Sequence, residues 1–189
     1  MLEKERTTPD QYPLSLNALT LACNQSTARD PVMSVDPSDV QSAIASLKGV
    51  ALVRLVHPSH GRSVTRFRQV ADEHFGWSVA ASAVMSTLLL RGPQTTSEIR
   101  TRSERLHQFA SFDALDAVLA ELAAVEPPQV QHSERSPGQK EQRWQQLLAE
   151  EESRPEPGSV SRSSAVHERI DELELRIVRL EVALTDLLL

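Results

Sequence analysis

Residues 36–70 read DPSDVQSAIASLKGVALVRLVHPSHGRSVTRFRQV, and their interpretation decides the fold. Asp36 is a polar N-cap and Pro37 takes the first helical position, where its missing N–H costs nothing. Val40, Ile44 and Leu47 then recur at helical spacing and form the core stripe of one amphipathic helix, which Gly49 ends. Two β-favourable runs follow, Leu52 to Val56 and Val64 to Val70, around the turn Pro58-Ser59-His60-Gly61. A helix leading into a β-hairpin is the result. The plan returns at residues 111–147, and a short helix precedes each copy. Two such units in series have the outline of tandem winged helix-turn-helix domains.

Working outward, Ser15 caps a helix whose Leu16, Leu19 and Cys23 share one face, with turn chemistry from Thr7 to Pro13 before it. Cys23 reads as a small buried hydrophobe in that stripe. In the second unit Ser78 opens a nearly apolar helix through Val79, Ala83, Val84, Leu88 and Leu89, broken at Gly92-Pro93. Thr95 or Thr96 caps the next helix, with Glu98 in its first turn and Ile99, Ser103 and Leu106 inward. Its Arg100, Arg102 and Arg105 interleave with Glu98 and Glu104, the pattern of a salt-bridged surface. The last helix starts after Ser111 and buries Leu115, Val118, Leu119 and Leu122.

The expected class is therefore mainly α with small β-hairpin wings, an α+β chain of two winged helix-turn-helix domains and a C-terminal coiled-coil helix. Residues 1–72 form the first domain, 73–148 the second, 149–164 a disordered linker rich in acidic residues, proline and serine, and 165–189 the final helix. In that helix Val166, Ile170, Leu173, Ile177, Leu180, Leu184 and Leu187 alternate spacings of four and three, which is a heptad seam. Ile170, Ile177 and Leu184 fall at a, and Leu173, Leu180 and Leu187 at d. Arg169 and Arg176 at g would meet Glu174 and Glu181 at e of a second chain, so a parallel homodimer is expected. The alternative is a helix folded back onto its own domains.

Composition excludes several classes of function. The net charge is −6, and residues 149–189 hold five Lys/Arg against ten Asp/Glu, so the two domains are close to neutral. Phosphate is not attracted globally, although a local basic patch has room to form. Aromatic residues make up 4% of the chain, too few for a base-stacking platform. One cysteine precludes an internal disulfide, and no long apolar run spans a bilayer; with no signal-peptide pattern at the N-terminus, a cytoplasmic protein without membrane contact is expected. No phosphate-cradling glycine loop, nucleophile elbow or paired-carboxylate cleft is found, so neither an enzyme nor a cofactor is expected. His57 and His60 lack a carboxylate or thiolate partner nearby and read as wing-tip polar residues rather than metal ligands.

What remains is one basic stretch. Arg54 to Arg68 contains four arginines, two histidines and no acidic residue, and Arg62, Arg66 and Arg68 share one strand parity with Val64. They are either phosphate contacts or charges that guard an exposed strand edge. The preceding helix has Ser38, Gln41, Ser42, Ser46 and Lys48 outside, with Asp39 its one carboxylate, and suits base edges. Gln41, Ser42, Lys48, Arg54, Arg62, Arg66 and Arg68 are accordingly the expected nucleic-acid contacts. The equivalent helix of the second unit shows Asp113, Asp116 and Glu121 and no Lys or Arg from Phe112 to Ala124, which would repel a phosphate-lined groove. A protein partner suits it better. Two functions follow: a dimeric DNA-binding transcriptional regulator, by analogy of fold, or an adaptor whose winged helices bind protein.

Several stretches together, among them 2–5 (LEKE), 7–15 (TTPDQYPLS), 22–25 (ACNQ), 29–33 (RDPVM), 88–95 (LLLRGPQT) and 137–141 (PGQKE), resemble the YceH-like family of bacterial proteins over roughly residues 2–148. The resemblance implies tandem winged helices and a cytoplasmic protein, and it implies no catalytic or binding residues. Family members carry a longer helix ending in the Leu-Glu-Lys-Glu run. Met1 stands almost at its end, so the first domain is expected to be structurally incomplete. Ser26 replaces a lysine usual in that family's loop, which weakens a phosphate role for the segment.

Overall fold

The computed structural model describes residues 1–57, 64–133 and 141–148. Arg62, the hairpin turn, the linker and every heptad position from Val166 to Leu187 lie outside the described residues. Those described give a mostly helical α+β architecture of seven helices and small antiparallel sheets.

Helix α1 (Leu2–Thr7) and one turn of 3-10 helix (Pro9–Gln11) lead into β1 (Leu14–Ser15). Helix α2 (Leu16–Cys23) begins where the Ser15 hydroxyl accepts the Ala18 N–H at 3.2 Å. Helix α3 (Pro37–Gly49) starts on a reciprocal cap, the Asp36 side chain taking an N3 amide while Asp39 takes the Asp36 N–H. Val40 and Ile44 are buried, but Leu47 stands at the rim and is 36% exposed. The helix ends at Gly49, as the sequence predicts, and the left-handed residue that turns the chain into the sheet is Ala51, φ 59°. Strands β2 (Val53–Val56) and β3 (Arg66–Gln69) pair antiparallel, with β1 on the far side of β3. Leu14, Leu19, Val40, Ile44 and Val53 make the core here, with Phe67 against it.

Helix α4 (Ala71–Phe75) stops at Gly76, whose φ of 69° favours glycine. Helices α5 (Val79–Arg91), α6 (Thr96–Ser103) and α7 (Phe112–Ala124) are capped by Ser78, Thr95 and Ser111, as the sequence predicts. Strands β4 (Val130–His132) and β5 (Trp144–Gln146) close the second core, and an isolated bridge from Gln94 to Trp144 ties β5 to the turn before α6. Val84, Met85, Ile99, Leu115 and Leu119 are completely buried in this core.

Residues 1–149 group as one unit, and its two halves meet along α1 and α5. Asp30 N–H donates to the Leu90 carbonyl at 3.0 Å. Beside it the Arg29 guanidinium, with a side chain 5% exposed, donates to Glu3 at 2.7 Å and to the Ala22 carbonyl at 2.8 Å. A buried arginine needs such company, because an unpaired buried charge costs several kcal/mol on the order given by ion desolvation.

Candidate nucleic-acid interface

Helix α3 touches the core on one narrow stripe, and Gln41, Ser42 and Lys48 are all exposed on the rest. The Ser42 hydroxyl folds back to the Ser38 carbonyl at 3.0 Å, and the Ser46 hydroxyl to the Ser42 carbonyl at 3.2 Å. These bonds leave the serine side chains short and flat on the helix surface, with Gln41 and Lys48 reaching furthest.

The strand parity is as the sequence predicts for the described arginines. Phe67 packs inward, so Arg66 and Arg68 take the other face of β3, and Arg54 of β2 stands directly opposite Arg68. Like charges facing each other across two strands repel. Glu73 of α4 resolves the conflict: its carboxylate accepts from Arg54 Nη1 at 3.1 Å and from Arg68 Nη2. Both partners are substantially exposed, the glutamate by 47%, so the pairing is screened and contributes little, about 0–1 kcal/mol. Arg66 is held by geometry instead, donating to the Pro13 carbonyl at 2.8 Å next to β1.

Sequence reading missed Glu73 and Pro13. Glu73 carried a signal, since Ala-Asp-Glu-His-Phe before Gly76 is a short helix with a glycine stop. Pro13 carried none, because a two-residue strand added from more than fifty positions away leaves no local pattern. Arg62 lies outside the described residues. The structure thus brings together Arg54, Arg66 and Arg68 around β3, with Gln41, Ser42 and Lys48 on the exposed face of α3.

The second half offers different chemistry. Asp113, Asp116 and Glu121 are exposed along α7, and the Arg100 guanidinium lies 4.5 Å over the ring of Phe112, itself 46% exposed. Glu98 collects Arg143 at 2.7 Å and Arg102 at 3.4 Å. Among the described residues no group of three His, Cys, Asp or Glu is placed to hold a metal ion, and no helix is long and apolar enough to cross a membrane.

A small helical protein with two hairpin-bearing halves and an exposed helix on each is the class these features define. Residues 1–139 match the model of a family described as a protein of unknown function, DUF480. The chain is 44% identical over 187 residues to the UPF0502 protein of Geobacter sulfurreducens, covering 95% of this chain and 84% of that one. With the UPF0502 protein of Dechloromonas aromatica it shares 42% identity over 189 residues, 99% of this chain and 87% of the relative. With that of Shewanella woodyi the figure is 44%, over 96% and 88%. The chain belongs to this DUF480 (UPF0502) family of bacterial proteins, in agreement with the resemblance drawn from its motifs.

Proposed function

We propose that each half is a winged helix-turn-helix module and that the first reads duplex DNA, two chains being joined through the heptad seam at residues 166–187 in a cytoplasmic transcriptional regulator. The observation that carries this reading is the exposed polar face of α3, Gln41, Ser42 and Lys48, together with the arginines on the outward face of β2 and β3. Helix side chains of that kind suit base edges in a major groove, while guanidinium groups alongside grip phosphate. Glu73 then occupies the place a phosphate would take between Arg54 and Arg68. In this role the chain uses no catalytic residue, metal or cofactor.

The test is the salt dependence of binding to generic duplex DNA by the full chain. Each neutralised phosphate adds about −0.9 to the log-log slope, so changing Arg62, Arg66 and Arg68 together to alanine flattens it by up to about 2.7. Glu73→Gln frees Arg54 and Arg68, and we expect tighter binding with a steeper slope. Absence of binding at low salt by both the native chain and Glu73→Gln overturns the reading. A second reading, an adaptor that binds protein, is favoured by the acidic exposed face of α7, Asp113, Asp116 and Glu121, and would then take its place.

A further inference from the structure

Between α2 and α3 on one side and α5 on the other runs a cavity of about 310 Å³. That volume lies at the lower end of the range for small-molecule sites, which run from about 300 to 1,000 Å³ and are mostly apolar with a few polar groups for orientation. Leu19, Cys23, Leu52, Phe75 and Leu89 supply much of its wall. Two polar groups on the lining are unusual. Arg29 donates through both terminal nitrogens, yet its Nε–H, fully buried, has no partner. Ser86, 3% exposed, has a hydroxyl that is likewise buried and unpartnered. Burying such a group without a hydrogen bond costs about 1–3 kcal/mol, so two at one cavity call for an explanation. Both residues line this cavity, and Asp30, next to Arg29, bonds to Leu90, one turn beyond Ser86.

We propose that this cavity binds a single-chain carboxylate amphiphile, its alkyl chain along the apolar wall and its head accepting from Arg29 Nε–H and the Ser86 hydroxyl. The charge of the lining fits an anion: Lys4 and Arg29 are cationic and Glu3 alone is acidic. Glu3 already takes one Arg29 nitrogen, so a carboxylate gains from the donor left over rather than from a free cation. This site is independent of any role in DNA binding.

Decanoate, kept below its micelle concentration and titrated calorimetrically into the full chain, tests the assignment. We expect one decanoate per chain and saturable binding. Octanoate, two methylenes shorter, should bind about fifteenfold more weakly, since each methylene buried is worth roughly a factor of four. Decyltrimethylammonium, with the same tail and a cationic head, should not bind. Ser86→Ala should weaken decanoate about fivefold, the value of one hydrogen bond, without lowering the melting temperature, because it removes a buried group that has no partner. Ala22→Phe, which fills the cavity, should abolish binding. The proposal is overturned by absence of saturable binding, by binding only above the micelle concentration, by equal affinity for the cationic homologue, or by unchanged affinity in Ser86→Ala. It is equally overturned if light scattering finds two chains closing the groove against each other with decanoate excluded.

Discussion

Tyr12 shows how much one side chain can organise. Its hydroxyl accepts the Gln69 N–H at 2.6 Å, and the Gln69 side chain in turn donates to Glu5 at 2.6 Å and Asp72 at 3.0 Å and accepts from Ala71 N–H at 2.7 Å. Burial pushes the Tyr12 phenol up to about 12, the nearby Glu5 and Asp72 adding to the rise while the Gln69 hydrogen bond and Arg68 oppose it. The unfolded chain therefore loses this proton near pH 10, before the folded chain does, and stability falls as pH rises from about 10 to about 12. Tyr12→Phe should remove that alkaline decline in a urea-melt series and cost about 1–3 kcal/mol at neutral pH, through the orphaned Gln69 N–H. Nothing local in Asp-Gln-Tyr-Pro marks this role, because its partner lies 57 residues on. Serine and threonine caps at 15, 78, 95 and 111 were legible for the opposite reason: their partners sit three residues away. The same distinction divides the arginine site, where parity placed Arg66 and Arg68 on one face but gave no hint that Pro13 would hold one of them.

At the scale of elements, the long helices and the paired runs of β2 and β3 were readable, and the two-residue β1 was not. A helix such as α7 repeats its apolar spacing through Leu115, Leu119 and Leu122, whereas β1 is two residues long and has no period to detect. The start of α6 joins the two kinds. Thr95 and Glu98 form a reciprocal cap within the helix, and Glu98 also accepts from Arg143, which donates to the Pro93 carbonyl at 3.0 Å. Burial alone would raise the Glu98 carboxyl; the Thr95 amide and the Arg143 and Arg102 guanidinium groups outweigh it and hold the group below its ordinary range. The resulting stability is present above the usual carboxylate value and is lost as pH falls through the lower folded one. Glu98→Gln should accordingly flatten the acid limb of a stability profile and cost about 1–3 kcal/mol at pH 7. An unaltered acid limb would assign that limb to other carboxylates.

The whole molecule is unevenly built. The second core holds five side chains with no exposure at all, while the first is smaller, its buried residues are each 3–7% exposed, and a cavity runs along its flank. Local opening follows such differences. Amides from Leu16 to Leu47 should exchange with deuterium markedly faster than those from Val79 to Leu122, and equal protection would show that the cavity carries no energetic penalty. The junction between the halves, through Arg29, Glu3 and Leu90, left no signal in the sequence, since it joins residues from three separate segments. That junction has a consequence for recognition. With α1 laid on α5 and Asp30 tied to Leu90, the face of α3 keeps its interval from that of α7 for as long as this junction holds. The protein is in effect a gauge of fixed length. A partner that engages both faces must present its two contact points at that one interval, and a partner whose points are a few ångströms too close loses one contact outright instead of weakening both.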